Sequence, residues 1–156
     1  MESSQSKMAR WKKAAIIASA IAIPAEGLRQ YAYHDPVGIL TVCYGSTTQV
    51  EKGKKYSLEE CRARLDADML EAISAVERCH PNLPDNVLAA FADAVYNIGP
   101  KVACNSTASK MLDDGDIDGA CRQLPRWNKA GGVVLPGLTK RRNLEMLVCL
   151  GSPSAR

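Results

Sequence analysis

Apolar and polar positions along the chain fall into three patterns, and each predicts a different kind of element. The first is an uninterrupted apolar run, Ala14-Ala15-Ile16-Ile17-Ala18-Ser19-Ala20-Ile21-Ala22-Ile23-Pro24-Ala25. The second is an alternation from Tyr31 to Cys43. Tyr31, Tyr33 and Asp35 fall on one strand face, Asp35-Pro36-Val37-Gly38 has the residue order of a turn, and Ile39, Thr41 and Cys43 share a face beyond it. A hairpin is predicted there, followed by a polar loop over 46–55 with room for a short third strand.

The third pattern is helical. From Ser57 to Arg78 the positions Leu58, Cys61, Leu65, Met69, Leu70, Ile73 and Val76 recur at helical spacing, and Ser57 with Glu60 forms a capping box. His80-Pro81-Asn82-Leu83-Pro84 breaks this helix. Asp85 is positioned to cap the next, whose face is Val87, Leu88, Phe91, Val95 and Tyr96 and which closes at Asn97-Ile98-Gly99-Pro100. Short helices are expected from Ser106 to near Gly115 and from Asp116 through Leu124. Trp127 to Gly132 reads as a turn with close backbone approach at its two glycines. A last helix covers Thr139 to Leu150 with Leu144, Leu147, Val148 and Cys149 inside. The class is α+β, with a small hairpin lobe, a larger helical lobe, and the Ser57 helix bridging them beside a cleft.

Charge changes the picture at the N-terminus. The chain has 156 residues and a net charge of +3, enough for one domain with a real core. Lys7, Arg10, Lys12 and Lys13 against Glu2 account for all of that charge within residues 1–25, and the rest of the chain is balanced. A neutral body offers no track for a nucleic-acid backbone, so no nucleic-acid partner is expected. Residues 1–10 are polar and are expected to be disordered. A basic leader before an apolar run of twelve residues suits an export signal, whereas such a run spans only about 18 Å as a helix and is short for a stable membrane anchor. The alternative is a buried first helix. The expected organisation is a leader and export or signal-anchor segment at 1–25, a catalytic domain at 26–150 and a tail at 151–156.

Six cysteines stand at Cys43, Cys61, Cys79, Cys104, Cys121 and Cys149, with no C-x-x-C pair and only His34 and His80 as imidazoles. That composition argues against zinc and for up to three disulfides in an oxidising compartment, with buried free thiols as the alternative. The spacing leaves all pairings open.

Candidate chemistry lies around the hairpin, in Glu26, Asp35 and Thr41. Cleaving a glycosidic bond takes one carboxylic acid to protonate the leaving oxygen and a second group to place water or attack carbon. Glu26 leaves the apolar segment, where poor solvation would favour a protonated carboxyl. Asp35 at the turn is expected to be ionised, and the Thr41 hydroxyl can share a water with it. No metal or organic cofactor is implied.

The run from Glu26 to Gly45 resembles the signature of the phage-type lysozymes, or endolysins, with the Glu-to-Asp and Asp-to-Thr intervals preserved. Ala90 to Gly99 resembles the central helix of that family, and Trp127 to Gly132, Leu135 to Arg142 and Glu145 extend the likeness to about residues 26–150. The resemblance implies a lysozyme-like fold and an inverting hydrolysis, with Glu26 as general acid and Asp35 and Thr41 holding the water. It also implies an arginine near the acid, Arg141 or Arg142, and Tyr33 along the glycan cleft. Ser46 stands where many relatives have His, which would remove one interaction between the lobes. Relatives with export sequences carry cysteines matching Cys43, Cys61, Cys121 and Cys149, leaving Cys79 and Cys104 as an additional pair.

The same subgroup carries a signal-arrest-release segment, and residues 11–25 resemble one. The partners so implied are peptidoglycan, the host export machinery and inner membrane, and functional dependence on a phage holin, with a monomeric enzyme. Location would be the host inner membrane and then the periplasm. Lytic transglycosylase chemistry and a non-enzymatic peptidoglycan-binding module are the competing readings.

Overall fold

A computed structural model describes residues 2–151; the tail expected at 151–156 lies outside the described residues from position 152 on. The chain opens with α1, Ser4–Glu26, and a hairpin of β1, Arg29–His34, and β2, Leu40–Cys43, follows. Two long helices come next, α2 at Leu58–Cys79 and α3 at Asp85–Ile98. The short helices are α4, Lys101–Cys104, α5, Thr107–Asp113, and α6, Ile117–Gln123. A second hairpin, β3 at Lys129–Ala130 and β4 at Val133–Val134, leads into α7, Pro136–Leu150.

The leader is part of the helical lobe. Its polar residues are helical from Ser4, not disordered, with Ser3 capping through its side chain onto the Ser6 amide. A tertiary contact explains the order: Arg10 forms paired hydrogen bonds with Glu77 at the end of α2, at 3.0 and 2.7 Å, and a further pair with Glu2. Ala14, Ala18, Ile21 and Ala22 are buried against α2 and α3. The apolar run is thus the buried first helix in this fold, and it runs through Pro24 to end at Glu26 and Gly27. Among the described residues, no helix is long and apolar enough to cross a membrane.

The first hairpin pairs Tyr33 with Thr41 and His34 with Leu40, and a register shift lies between Arg29 and Tyr33. That irregularity interrupts the expected alternation, and Tyr31 is exposed. The expected third strand is reduced to an isolated bridge between Tyr31 and Lys55. The capping box at Ser57 and Glu60 is present in full. Asp85, by contrast, is the first residue of α3 and makes no capping bond; Pro84 occupies the cap position. Asp85 lies 3.3 Å from Lys13 of α1 instead.

Gly131 and Gly132 form the turn of the second hairpin at φ 58° and 79°, and nothing lies within 4 Å of a Cβ built at either. Left-handed backbone, not close approach, is what requires glycine there. Three disulfides tie the fold: Cys43–Cys61 joins β2 to α2, Cys79–Cys104 joins α2 to α4, and Cys121–Cys149 joins α6 to α7. Besides Val148 and Cys149, α7 buries Arg141, Arg142 and Glu145, while Leu144 and Leu147 are only partly covered. Charged groups therefore occupy an inside expected to be apolar.

Candidate active site

A cleft of about 700 Å³ runs between the first hairpin and the helical lobe, floored by α2 and α3. Glu26, Tyr33, Asp35 and Thr41 all line it. Each is placed by local structure. Glu26 is the last residue of α1, just before the Gly27 cap at φ 72°. Its carboxyl packs against the backbone of Gly45, where an added Cβ would stand 3.6 Å away.

Asp35 begins the tight turn, and its Oδ1 accepts hydrogen bonds from the Val37 and Ile39 amides at 3.0 and 2.8 Å. Both bonds fall on one oxygen, which fixes the carboxyl plane and leaves Oδ2 for the cleft side. Across the ladder, Tyr33 and Thr41 are register partners. Thr41 is 4% exposed, and its hydroxyl donates to the Ile39 carbonyl at 2.9 Å, which leaves the oxygen lone pairs available as acceptors.

Glu26 does not sit in the apolar setting expected of it. Its Oε2 lies 3.1 Å from Arg141 Nη1, and the same guanidinium forms a bidentate pair with Asp93 through Nε and Nη2, at 2.9 and 2.8 Å. Asp93 is fully buried on α3. Burial disfavours the Arg141 charge, but the hydrogen bonds and charge of Asp93, with Glu26 adding to them, more than offset this and raise its pKa. Of the two candidate arginines, Arg141 is thus the one that reaches Glu26. Arg142 turns inward, donating to Asn97 and lying 2.9 Å from Glu145.

Sequence reasoning missed Asp93, Glu145, Tyr96 and Asn97 as parts of this site. Tyr96 lines the cleft and donates its hydroxyl to the Tyr44 carbonyl, joining α3 to the end of the hairpin. Burial pushes the Tyr96 hydroxyl above its ordinary pKa, and the Glu26 charge adds to this. A carboxylate amid the apolar face of α3 was the available signal for Asp93, since a buried charge needs a partner.

Ser46 is held beside α2, where Arg64 donates to Ser46 Oγ at 3.0 Å and to the Thr48 and Gln49 carbonyls. Asp68 of α2 also faces the cleft, and burial raises its pKa.

A small hairpin lobe and a helical lobe closing on a carboxyl-lined cleft define a lysozyme-like enzyme. The phage lysozyme family model matches residues 24–145, and the chain belongs to that family. A SAR-endolysin of bacteriophage PS119 is 41% identical over 130 residues, covering 80% of this chain and 76% of that protein. The active form of the P1 phage endolysin Lyz superposes with a TM-score of 0.79 at 25% identity, covering 86% of this chain and 83% of that one. The secreted inactive form of the same phage protein superposes with a TM-score of 0.60 at 21% identity, covering 86% and 94%.

Proposed function

We propose that this protein is a muramidase that cuts the β-1,4 bond between N-acetylmuramic acid and N-acetylglucosamine in bacterial peptidoglycan and so lyses the host cell. Its broader activity, lysozyme-type hydrolysis of peptidoglycan, follows from its family. The observation that carries the residue assignments is the meeting of Glu26 with Asp35 and Thr41 in one open cleft.

Glu26 protonates the glycosidic oxygen as the bond from that oxygen to the anomeric carbon breaks. Asp35 draws the proton from a water that adds to the anomeric carbon, and Thr41 holds that water through its free lone pairs. The anomeric centre is inverted because water enters from the face opposite the leaving group. Arg141 orients the Glu26 carboxyl, and Tyr33 covers a sugar ring beside Thr41. No step calls for a metal or cofactor.

The test is digestion of purified peptidoglycan by wild type, Glu26→Gln and Asp35→Asn, with products read by mass spectrometry. Reducing muramic-acid ends from wild type, lost in both folded variants, support the assignment. Anhydro-muramic products would make the enzyme a lytic transglycosylase. Binding without cleavage by wild type would leave a peptidoglycan-binding module.

Residues 11–25 act before this chemistry, as a signal-arrest-release segment. The host export machinery delivers the segment to the inner membrane, and depolarisation by a phage holin releases the chain to the periplasm, where it works as a monomer. Two things support this reading: the SAR-endolysin relative and the composition of the run. Six Ala dominate it beside four Ile and one Ser, so the bilayer stabilises it less than a Leu-rich helix and escape costs less.

A further inference from the structure

The second hairpin is built unlike the first. In the first, Val42 and Cys43 of β2 are buried beside Tyr56 and Cys61. In the second, every residue from Lys129 to Gly137 is exposed. Its strand pairs are Lys129 with Val134 and Ala130 with Val133. Cross-strand partners share a face and successive pairs alternate, so Val134 stands on one face of the ribbon and Val133 on the other. Val133, Val134 and the adjoining Leu135 are 61%, 50% and 40% exposed. The ribbon thus projects into solvent with an apolar side chain on each face.

Its base is fixed. The Leu135 amide donates to the Asn128 carbonyl at 3.0 Å, and the Asn128 side-chain amide donates to the Thr139 hydroxyl of α7 at 3.1 Å. From there to the glycine turn the ribbon reaches roughly 10 Å, at about 3.3 Å per residue.

Charge around the ribbon is one-sided. The sequence holds no carboxylate between Asp118 and Glu145. Arg141 and Arg142 in that span are buried and engaged with carboxylates. Arg126, Lys129 and Lys140 flank the base; they are exposed and form no ion pair among the described residues. A chain body that is neutral as a whole therefore carries a local cationic collar below an apolar tip.

We propose that this ribbon docks on the surface of an anionic phospholipid bilayer, as a contact separate from residues 11–25. A protein or glycan laid against the ribbon would cover one face and leave the other valine in water. A bilayer interface surrounds the ribbon and takes up both. The reach fits, because the boundary between headgroups and acyl chains is about 5–10 Å deep. The open edges and glycine turn still need hydrogen-bonding partners, so the ribbon halts in that layer and does not enter the hydrocarbon. The three cations then lie level with the lipid phosphates, where each strengthens binding by about fivefold. No residue from Arg126 to Lys140 lines the cleft, so docking does not occupy it. Such a contact is reversible and screened by salt, unlike a segment held in the bilayer core.

The test is sedimentation of folded full-length protein with vesicles, which needs no turnover and so stands apart from the assignment of Glu26. One set is phosphatidylcholine mixed with anionic phosphatidylglycerol, and the other is phosphatidylcholine alone. Wild type is expected to sediment with the anionic vesicles at low salt and to leave them as salt rises. The double variant Val133→Asp with Val134→Asp is expected to lose roughly tenfold or more in vesicle affinity. Lys129→Gln with Lys140→Gln should lose about tenfold or more. Both sites are exposed, and circular dichroism with peptidoglycan hydrolysis should show each variant folded and active. Ile16→Ser, at an exposed position of the α1 apolar run, should bind as wild type does. No vesicle binding by wild type, or equal binding to both vesicle types, overturns the proposal. A loss confined to Ile16→Ser gives the contact to α1 and overturns it too. So does a valine variant that binds vesicles normally but no longer sediments with purified peptidoglycan, since the ribbon would then serve the cell wall.

Discussion

Arg141 joins two requirements in one side chain, because it neutralises a buried carboxylate and orients the candidate acid. Replacing it with Ala strands Asp93, and breaking a buried pair in this way costs about 3–5 kcal/mol; thermal or urea unfolding would read the loss. Arg141→Lys keeps the charge but not the planar fork, so one ammonium cannot hold Asp93 and Glu26 together. It is expected to stay folded and to lose most of its kcat. Glu145 adds a pH signature with a definite sign, because burial raises its pKa well above the ordinary range. Below the ordinary glutamate range both folded and unfolded chains hold its proton. Above that range the unfolded chain releases it while the fold retains it, so stability falls as pH rises. Glu145→Gln does not titrate, and its urea midpoint relative to wild type should climb between about pH 4 and pH 7. At this scale the sequence pattern led to Glu26, Tyr33, Asp35 and Thr41, since they cluster in one short stretch of chain. Asp93 and Glu145 escaped notice as members of the site because helical periodicity counts apolar positions and assigns charges to solvent, while here the charges lie inside.

Single elements carry their own tests. The Cys43–Cys61 disulfide anchors the strand that holds Thr41 to the start of α2, closing a loop of sequence separation 18. Its removal by the double change Cys43→Ala and Cys61→Ala should cost about 3 kcal/mol. Turnover should fall more than the loss of folded protein accounts for, because Thr41 and Asp35 lose their fixed bearing on Glu26. Comparing specific activity with the folded fraction from circular dichroism separates the two effects. Ser57→Ala removes one half of the α2 capping box and should cost about 1 kcal/mol without altering kcat, read by urea unfolding beside a peptidoglycan assay. The long amphipathic helices and that cap were legible because period and cap signals agree locally. The second hairpin was not, since its strands have two residues each and are too short to show alternation. Helix α1 exceeded its expected bounds for a different reason: the ion pair of Arg10 with Glu77 orders its polar start, and a partner 67 residues away leaves no local mark.

Across the whole molecule, charge and architecture divide the chain in different places. The excess positive charge lies within the first 25 residues, yet those residues form one helix with the candidate acid and pack into the core. If residues 11–25 are held in lipid, Glu26 is separated from Arg141 and the site is incomplete. Full-length protein in energised bacterial membrane vesicles should therefore sediment with the membrane and leave peptidoglycan intact, and an uncoupler should yield soluble, active enzyme. Full activity in the sedimented fraction would contradict the tethering mechanism. The small side chains of α1 then answer to two solvents. At Ala18, wholly enclosed by protein, Leu would deepen the hold of the bilayer and would also overfill the core, at about 1–3 kcal/mol. One stretch of sequence must be oily enough to halt in a membrane and slight enough to leave it for a space already shaped, so the volume left between α2 and α3 sets an upper limit on how firmly the enzyme can be moored.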